Sequence, residues 1–228
     1  MPRPTITLSG ESFERARIEQ LLQEDALLVF DDCDFSGIDL SRLNLQDSVF
    51  RNCILAETSF YAANLSRTRW QRCRAGHADF ESGDLVDARF DACDLNNTSW
   101  RRAKLASCSY RSCKLTGAAF EEVSYLGLSF EDSLLIGADL RRMSFRKQTL
   151  VGLDFADADL SGCDFRDAVF EGGSLRDAHV KDTRFEGADL READIGGLKL
   201  INAKLFAGAI ISPRQAAEVV REMGLNVA

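Results

Sequence analysis

Phe155, Leu160, Phe165 and Phe170 stand five residues apart. Neither common element has that period: an amphipathic helix repeats its apolar residues at three and four, a half-buried strand at every second position. The beat runs far beyond this stretch. Counting in fives from Phe30 to Ile210 passes 37 positions, and all are large apolar or aromatic residues except Ala75. Both tryptophans and 13 of the 15 phenylalanines fall on it. Self-similarity at a fixed period marks a repeat architecture, in which each unit buries its apolar face against the next.

A second, smaller set precedes the beat by two residues, including Ala63, Ala78, Ala88, Ala158, Ala168 and Ala188. Residues two apart on an extended chain point the same way, so the small and the large residue both face inward. The chain must then turn, and the second residue after the beat has to accept unusual backbone angles. Of the 36 such positions from Asp32 to Ala207, 9 are Gly, 8 Asp and 3 Asn, the residues that adopt left-handed angles at least cost. Each five residues therefore make one short edge and one corner. Proline is absent between residues 5 and 212, as expected where backbone N–H groups bond along every edge.

The pattern Ala138-Asp139-Leu140-Arg141-Arg142, repeated at Ala188-Asp189-Leu190-Arg191-Glu192, resembles the pentapeptide repeat proteins. The resemblance implies an all-β solenoid: a right-handed quadrilateral parallel β-helix of about nine coils, twenty residues per coil, with short N-terminal and C-terminal capping helices. Three segments follow: 1–28 as an N-terminal cap with a short helix, 29–210 as the β-helix, and 211–228 as a C-terminal helix and tail. Ser9 is expected to cap a helix through residues 11–25, with Phe13, Ile18, Leu21 and Leu22 as its apolar stripe. At the other end Ser212, Pro213 and Gln215 spell a helix start with a capping box, and Gly224 a stop.

Cys33, Cys53, Cys73, Cys93 and Cys113 are spaced by twenty and, with Cys108 and Cys163, occupy the small inward position. Stacked side chains point alongside rather than toward each other, so free thiols are expected, in keeping with a reducing cytoplasm. No Cys-x-x-Cys or Cys/His cluster suggests zinc. Neither a G-x-S-x-G nor a phosphate-binding glycine pattern is present, and His77 and His179 stand alone. No enzyme, metal or cofactor is expected. The first ten residues lack the apolar core of a signal peptide and no run is apolar enough to span a membrane, so the expected location is cytoplasmic.

The sequence ending Met223-Gly224-Leu225-Asn226-Val227 is similar to the end of one branch of the family, the Qnr, MfpA, AlbG and McbG proteins. That branch protects type II topoisomerases from poisons such as quinolones, and two of its chains join through this end. The resemblance implies a homodimer through Ile201, Phe206, Ala216, Val219, Val220, Met223, Leu225 and Val227; Ile201 and Phe206 stand at outward positions where a polar residue is usual. A simple end cap is the alternative use of the same helix.

Net charge is −8, unevenly spread. Residues 149–210 carry seven bases and twelve acids, whereas residues 99–148 carry nine and five. A dimer through the C-terminus would surround its dyad with Asp154, Asp157, Asp159, Asp164, Asp167, Asp177, Asp182, Glu186, Asp189 and Asp194. Such a surface repels nucleic acid and attracts proteins built to hold it. The resemblance implies a DNA mimic that binds DNA gyrase or topoisomerase IV as its partner. Plain solubilising charge, or a rigid scaffold for another protein, remains the alternative. The basic belt from Arg101 to Lys147 does not suit a pure mimic; ordinary pairing with Glu121, Glu122, Glu131 and Asp132 is one explanation and contact with an acidic partner another. Leu126, Leu134 and Ile136 also stand at outward positions.

Overall fold

The computed structural model describes residues 3–198, 203–222 and 224–227. The chain divides into two compact units, residues 1–130 and 131–228. Each is a parallel β-solenoid.

In the first unit, strands β1 (Thr5–Ser9), β2 (Leu27–Asp31), β3 (Val49–Arg51), β4 (Arg69–Gln71), β5 (Arg89–Asp91), β6 (Ser109–Arg111) and β7 (Ser129–Glu131) stack in sequence order. Pairing is parallel, and Phe50 lies against Trp70 and Trp70 against Phe90, which gives the twenty-residue turn. The other faces hold single bridges, such as Asp34 to Ile54, Asp39 to Ser59 and Asn44 to Asn64. One extended residue per edge is all that a five-residue side leaves.

The corner after most beats is closed by a hydrogen bond from the amide three residues on, as from Ile38 N to Phe35 O at 3.1 Å and from Thr58 N to Leu55 O at 3.2 Å. The second of the two intervening residues has positive φ. Among the described residues this holds at glycines such as Gly37 and at larger residues such as Arg67 (φ 57°) and Glu57 (φ 58°). A left-handed non-glycine residue costs roughly 1–2 kcal/mol, so the ladder of inter-turn bonds and the core must hold these corners in place.

The face of the β-strands is different. After Phe30, Phe50, Trp70 and Phe90 none of the described residues supplies the closing bond. The cysteine column sits at this wider corner. Cys53 Sγ donates to the carbonyls of Arg51 (3.2 Å) and Phe30 (3.5 Å), and Cys73 Sγ to those of Phe50 (3.4 Å) and Gln71 (3.5 Å). In the second unit Ser133 Oγ serves its own corner by donating to Glu131 O at 2.8 Å. The thiols are thus corner donors as well as fillers, and all seven are free and buried.

Inside, aromatic rings stack turn on turn: Phe50 on Trp70 at 4.1 Å, Trp70 on Phe90 at 5.3 Å and Phe90 on Tyr110 at 5.0 Å. A second ladder runs from Phe60 through Phe80 to Trp100, with centroids 5.0 and 4.3 Å apart. Such pairs add about 0.5–1.5 kcal/mol each beyond area burial. Both indoles are satisfied from two residues upstream: Trp70 Nε1 donates to Thr68 Oγ1 at 2.9 Å and Trp100 Nε1 to Thr98 Oγ1 at 2.8 Å. Tyr110 follows Cys108 instead, and its buried hydroxyl has no hydrogen-bond partner among the described residues.

The N-terminus departs from expectation. Ser9 does not cap a helix; it ends β1, which pairs with β2 as Leu8 to Phe30. Helix α1 is shorter, Arg15–Leu21, and Glu14 at its N-cap makes no side-chain capping bond. Phe13 lies outside α1 and stacks on Phe35 at 5.0 Å. Residues 5–13 therefore already behave as repeat, Leu8 and Phe13 keeping the five-residue spacing, and α1 is an insertion before β2. Ile18 and Leu21 are buried as foreseen.

The second unit carries β8 (Thr149–Val151) and β9 (Val169–Glu171), paired in parallel, then helix α2 (Pro213–Glu222). Its aromatic ladder runs Phe145, Phe165, Phe185 at 4.9 and 5.1 Å. The next rung is Phe206, stacked on Phe185 at 4.9 Å and 7°. The sequence beat had placed Leu205 there. Backbone bonds slip with it: Phe165 N bonds Arg184 O, nineteen residues on, but Phe185 N bonds Leu205 O, twenty on. One extra residue enters the last turn, so the uninterrupted phase up to Ile210 is corrected. Both phenylalanines that miss the sequence beat are core rungs.

Candidate protein-interaction surface

The ten acidic residues do not form one face. Parallel bridges put Asp154 and Asp194 each beside Ser174, Asp159 between Asp139 and His179, Asp164 between Ser144 and Arg184, and Asp189 beside Val169. These columns belong to four different sides of the turn. Asp157, Asp167, Asp177 and Asp182 are exposed at left-handed corners, with φ between 55° and 59°. Asp154, Asp159, Asp164, Glu186, Asp189 and Asp194 are half-buried.

Much of this charge is already compensated. Asp164 clips Arg166 at 2.5 Å and Asp189 clips Arg191 at 2.6 Å, each carboxylate also accepting the arginine's own backbone N–H. Asp139 and Arg141 repeat the arrangement at 2.6 Å. The signal is Asp-x-Arg bracketing a beat residue, and it is plain in the sequence once the outward positions are known. Arg176 reaches Asp194 at 2.8 Å, Arg184 reaches Glu186 at 3.1 Å, Arg141 lies 3.8 Å from Asp159 and Arg146 3.9 Å from Asp167. Among the described residues, Asp154, Asp157, Asp177 and Asp182 make no ion pair. The Arg166, Arg191 and Arg141 side chains hold the carboxyls of Asp164, Asp189 and Asp139 below their ordinary pKa by direct hydrogen bonds.

The basic belt is paired in part. In the first unit Arg101 meets Glu121 at 3.2 Å, Arg102 meets Glu81, and Lys104 meets Asp84 at 3.4 Å. Two of these three acids come from the preceding turn rather than from the expected set. Leu126 is 87% exposed in the first unit, and Leu134 is 37% exposed in the second; Ile136 is half-buried.

At the C-terminus the capping box forms as the sequence spells it. Ser212 N donates to Gln215 Oε1 at 2.6 Å and Gln215 N to Ser212 Oγ at 3.3 Å. Gln215 Nε2 then donates to the carbonyls of Leu190 and Ala193, both at 2.7 Å, which fastens α2 to the last turns. Gly224 (φ 86°) ends the helix: Leu225 N bonds Val220 O and Gly224 N bonds Arg221 O, the paired bonds of a Schellman motif. Glu222 accepts from Gly197 N at 3.0 Å.

Of the residues assigned to a dimer interface, Ala216, Val219 and Val220 are half-buried, while Leu225 (57%) and Val227 (38%) are exposed. Phe206 is not the outward apolar residue expected, because the slip of register turns it onto Phe185. Ile201 and Met223 lie outside the described residues. Ile210 was assigned to the core beat; the same slip leaves it 47% exposed. Among the described residues, Ile210, Leu225 and Val227 are thus the large apolar side chains in solvent at this end.

No helix among the described residues is long and apolar enough to cross a membrane. No group of three or more His, Cys, Asp or Glu residues is placed to hold a metal ion among them either.

Comparison with solved structures finds the same fold in full-length QnrB1, a plasmid-mediated fluoroquinolone resistance protein, at 20% identity and TM-score 0.50, covering 97% of this chain and 98% of that one. A trypsin-treated form of QnrB1 matches at 18% identity and TM-score 0.50 over 99% of both chains. HetL from the cyanobacterium Nostoc sp. strain PCC 7120, a pentapeptide repeat protein involved in heterocyst differentiation regulation, matches at 17% identity and TM-score 0.28, over 91% of this chain and 86% of that one. No curated protein matches in sequence. A model of the pentapeptide repeat region matches residues 28–100 and 43–120, and a model of eight pentapeptide repeats matches 129–167 and 168–205. The five-residue beat, the corner at every fifth residue and these two matches together place the chain in the pentapeptide repeat family.

Proposed function

We propose that the chain is a DNA-mimicking ligand of a type II topoisomerase. It binds DNA gyrase, and by the same chemistry topoisomerase IV, as a homodimer joined through its C-terminal module in the cytoplasm, and protects the enzyme from quinolones or other poisons. It acts by binding and not as an enzyme. The observation that carries this reading is the C-terminal module itself. A capped, docked α2 leaves Ile210, Leu225 and Val227 in solvent, and large apolar side chains exposed at a built cap are suited to a partner. Next to it lies one unpaired carboxylate, Asp177: Gly197, which α2 touches through Glu222, stacks over it. QnrB1, whose fold extends over nearly all of this chain, is a fluoroquinolone resistance protein, and that role supports the reading.

A second reading, a rigid scaffold for a different protein, is favoured by one observation. Six of the ten acids already pair with arginine, so the field offered to a DNA-binding groove is weaker than the raw count.

A supercoiling assay with purified gyrase decides between them. The protein should relieve quinolone poisoning at low concentration and inhibit supercoiling at higher concentration. Reversal of Asp157, Asp177 and Asp182 to Lys should abolish both effects. No effect from folded protein, or an effect that survives charge reversal, removes the mimic. A chain truncated after Ala209 should sediment as a monomer; a dimer there would move the interface elsewhere.

A further inference from the structure

The first unit holds a concavity of about 590 Å³ over strands β2 to β4. Its polar wall is Arg3, Arg51, Arg67, Arg69 and Gln71, with Asp47 as the lone acid. Four cations against one anion give +3, in a chain whose net charge is −8.

The one carboxylate is already engaged. Arg67 grips Asp47 through two bonds of 2.7 and 3.0 Å, and Arg3 lies 3.9 Å from the same group while meeting Asp25 at 3.1 Å. Arg51 and Arg69 are exposed and make no ion pair among the described residues, although the register sets Arg51 beside Asp31 of β2. The register sharpens the point. Arg69 lies directly against Arg89 of the next strand, which is also exposed and unpaired among the described residues. Adjacent strands are about 4.8 Å apart, and like charges facing each other there are destabilising. The backbone cannot slide to relieve them, because every turn is pinned by inter-turn bonds. An anion would.

We propose that this groove binds a nucleoside di- or triphosphate. Guanidinium forks match phosphate oxygens two at a time, and two free arginines on neighbouring strands call for more than one phosphate. Half-buried Leu27 and Val49 line the same concavity and offer an apolar surface to a base. The volume falls in the usual range for small-molecule sites, which favours a compact ligand over an extended acidic peptide. The site uses none of the acidic residues of the second unit and is independent of the topoisomerase reading.

Titration calorimetry on the full chain at low ionic strength tests it, with ATP, GTP, adenosine, inorganic tripolyphosphate and an oligoglutamate peptide as probes. One nucleoside triphosphate should bind per chain, more tightly than tripolyphosphate, and adenosine should not bind. Loss of charge-assisted bonds in Arg51→Gln/Arg69→Gln should weaken nucleotide binding by about tenfold or more, and Arg146→Gln, in the second unit, should not change it. Both arginines are exposed, and an unchanged melting curve would show the double variant folded. Equal affinity for tripolyphosphate, binding that survives the double substitution, preference for an acidic peptide, or no binding at millimolar nucleotide overturns the proposal.

Discussion

The side-chain amide of Gln215 donates to the backbone carbonyl of Leu190 at 2.7 Å, in a site where Gln215 is 1% exposed. The same side chain closes the capping box of α2 through its oxygen and reaches Ala193 O through its nitrogen. One residue thus starts the helix and fastens it.

Replacing Gln215 with Ala should therefore cost more than an ordinary cap. It orphans the Ala193 carbonyl and the Ser212 amide and strips one of two bonds from Leu190 O, which keeps Ala193 N, for a loss of about 2 kcal/mol. Hydrogen exchange should rise across residues 213–222 while the turns of the first unit stay protected. Uniform loss of protection throughout the chain would show that α2 is not a separable cap.

Tyr110→Phe should act in the opposite direction. The phenol oxygen is buried with only the Cys108 thiol beside it and no well-formed hydrogen bond, and burial, with that thiol, holds its pKa well above the ordinary value. Removing it keeps the ring in its ladder and should stabilise the protein by about 1 kcal/mol, a rise of a few degrees in melting temperature. A fall would mean that the hydroxyl has a partner.

The Asp-x-Arg clips set an acid limit. Asp139, Asp164 and Asp189 have folded pKa values below the ordinary carboxylate value because arginine side chains bond them. The stability they contribute is complete above the unfolded pKa of about 4 and is lost as pH falls through the lower, folded value. Melting temperature should hold steady down to about pH 4 and then drop. The drop should be shallower in Asp164→Asn, and an equal drop would assign the acid limb to other groups.

The cysteines should be inert until the protein unfolds. Burial pushes the Cys108 and Cys163 thiols up to about 12, and the thiolate is the reactive form. Native protein at neutral pH should resist alkylation, and all seven thiols should react in denaturant. Rapid labelling of any one in native protein would reveal local opening of its corner.

The period of five, the corner at the second residue after each beat and the Ser212–Gln215 box were all readable in the chain. Each is a local pattern with a local physical cause. Phe13 and Phe206 were misread for a shared reason: an inserted helix and one extra residue shift the phase, and only the stacking partner reveals the new one. Counting acids overstated the charge near the C-terminus, because Asp164 and Asp189 face outward beside their own arginines. The arginine groove was invisible. A twenty-residue turn already sets Arg69 against Arg89, but the concavity that gathers Arg51, Arg67 and Arg69 shows only in three dimensions, and Arg3 joins them from outside the sequence beat.

The register of twenty also makes each unit a kind of clock. Inserting five residues inside a unit would turn every later side chain by a quarter revolution, moving an arginine column to where an aspartate column had been; inserting twenty would restore the hour. Surface identity is therefore conserved modulo the turn, and single-residue errors are tolerable only near the end of the count. The extra residue before Phe206 falls in the last turn, where only α2 remains to be displaced.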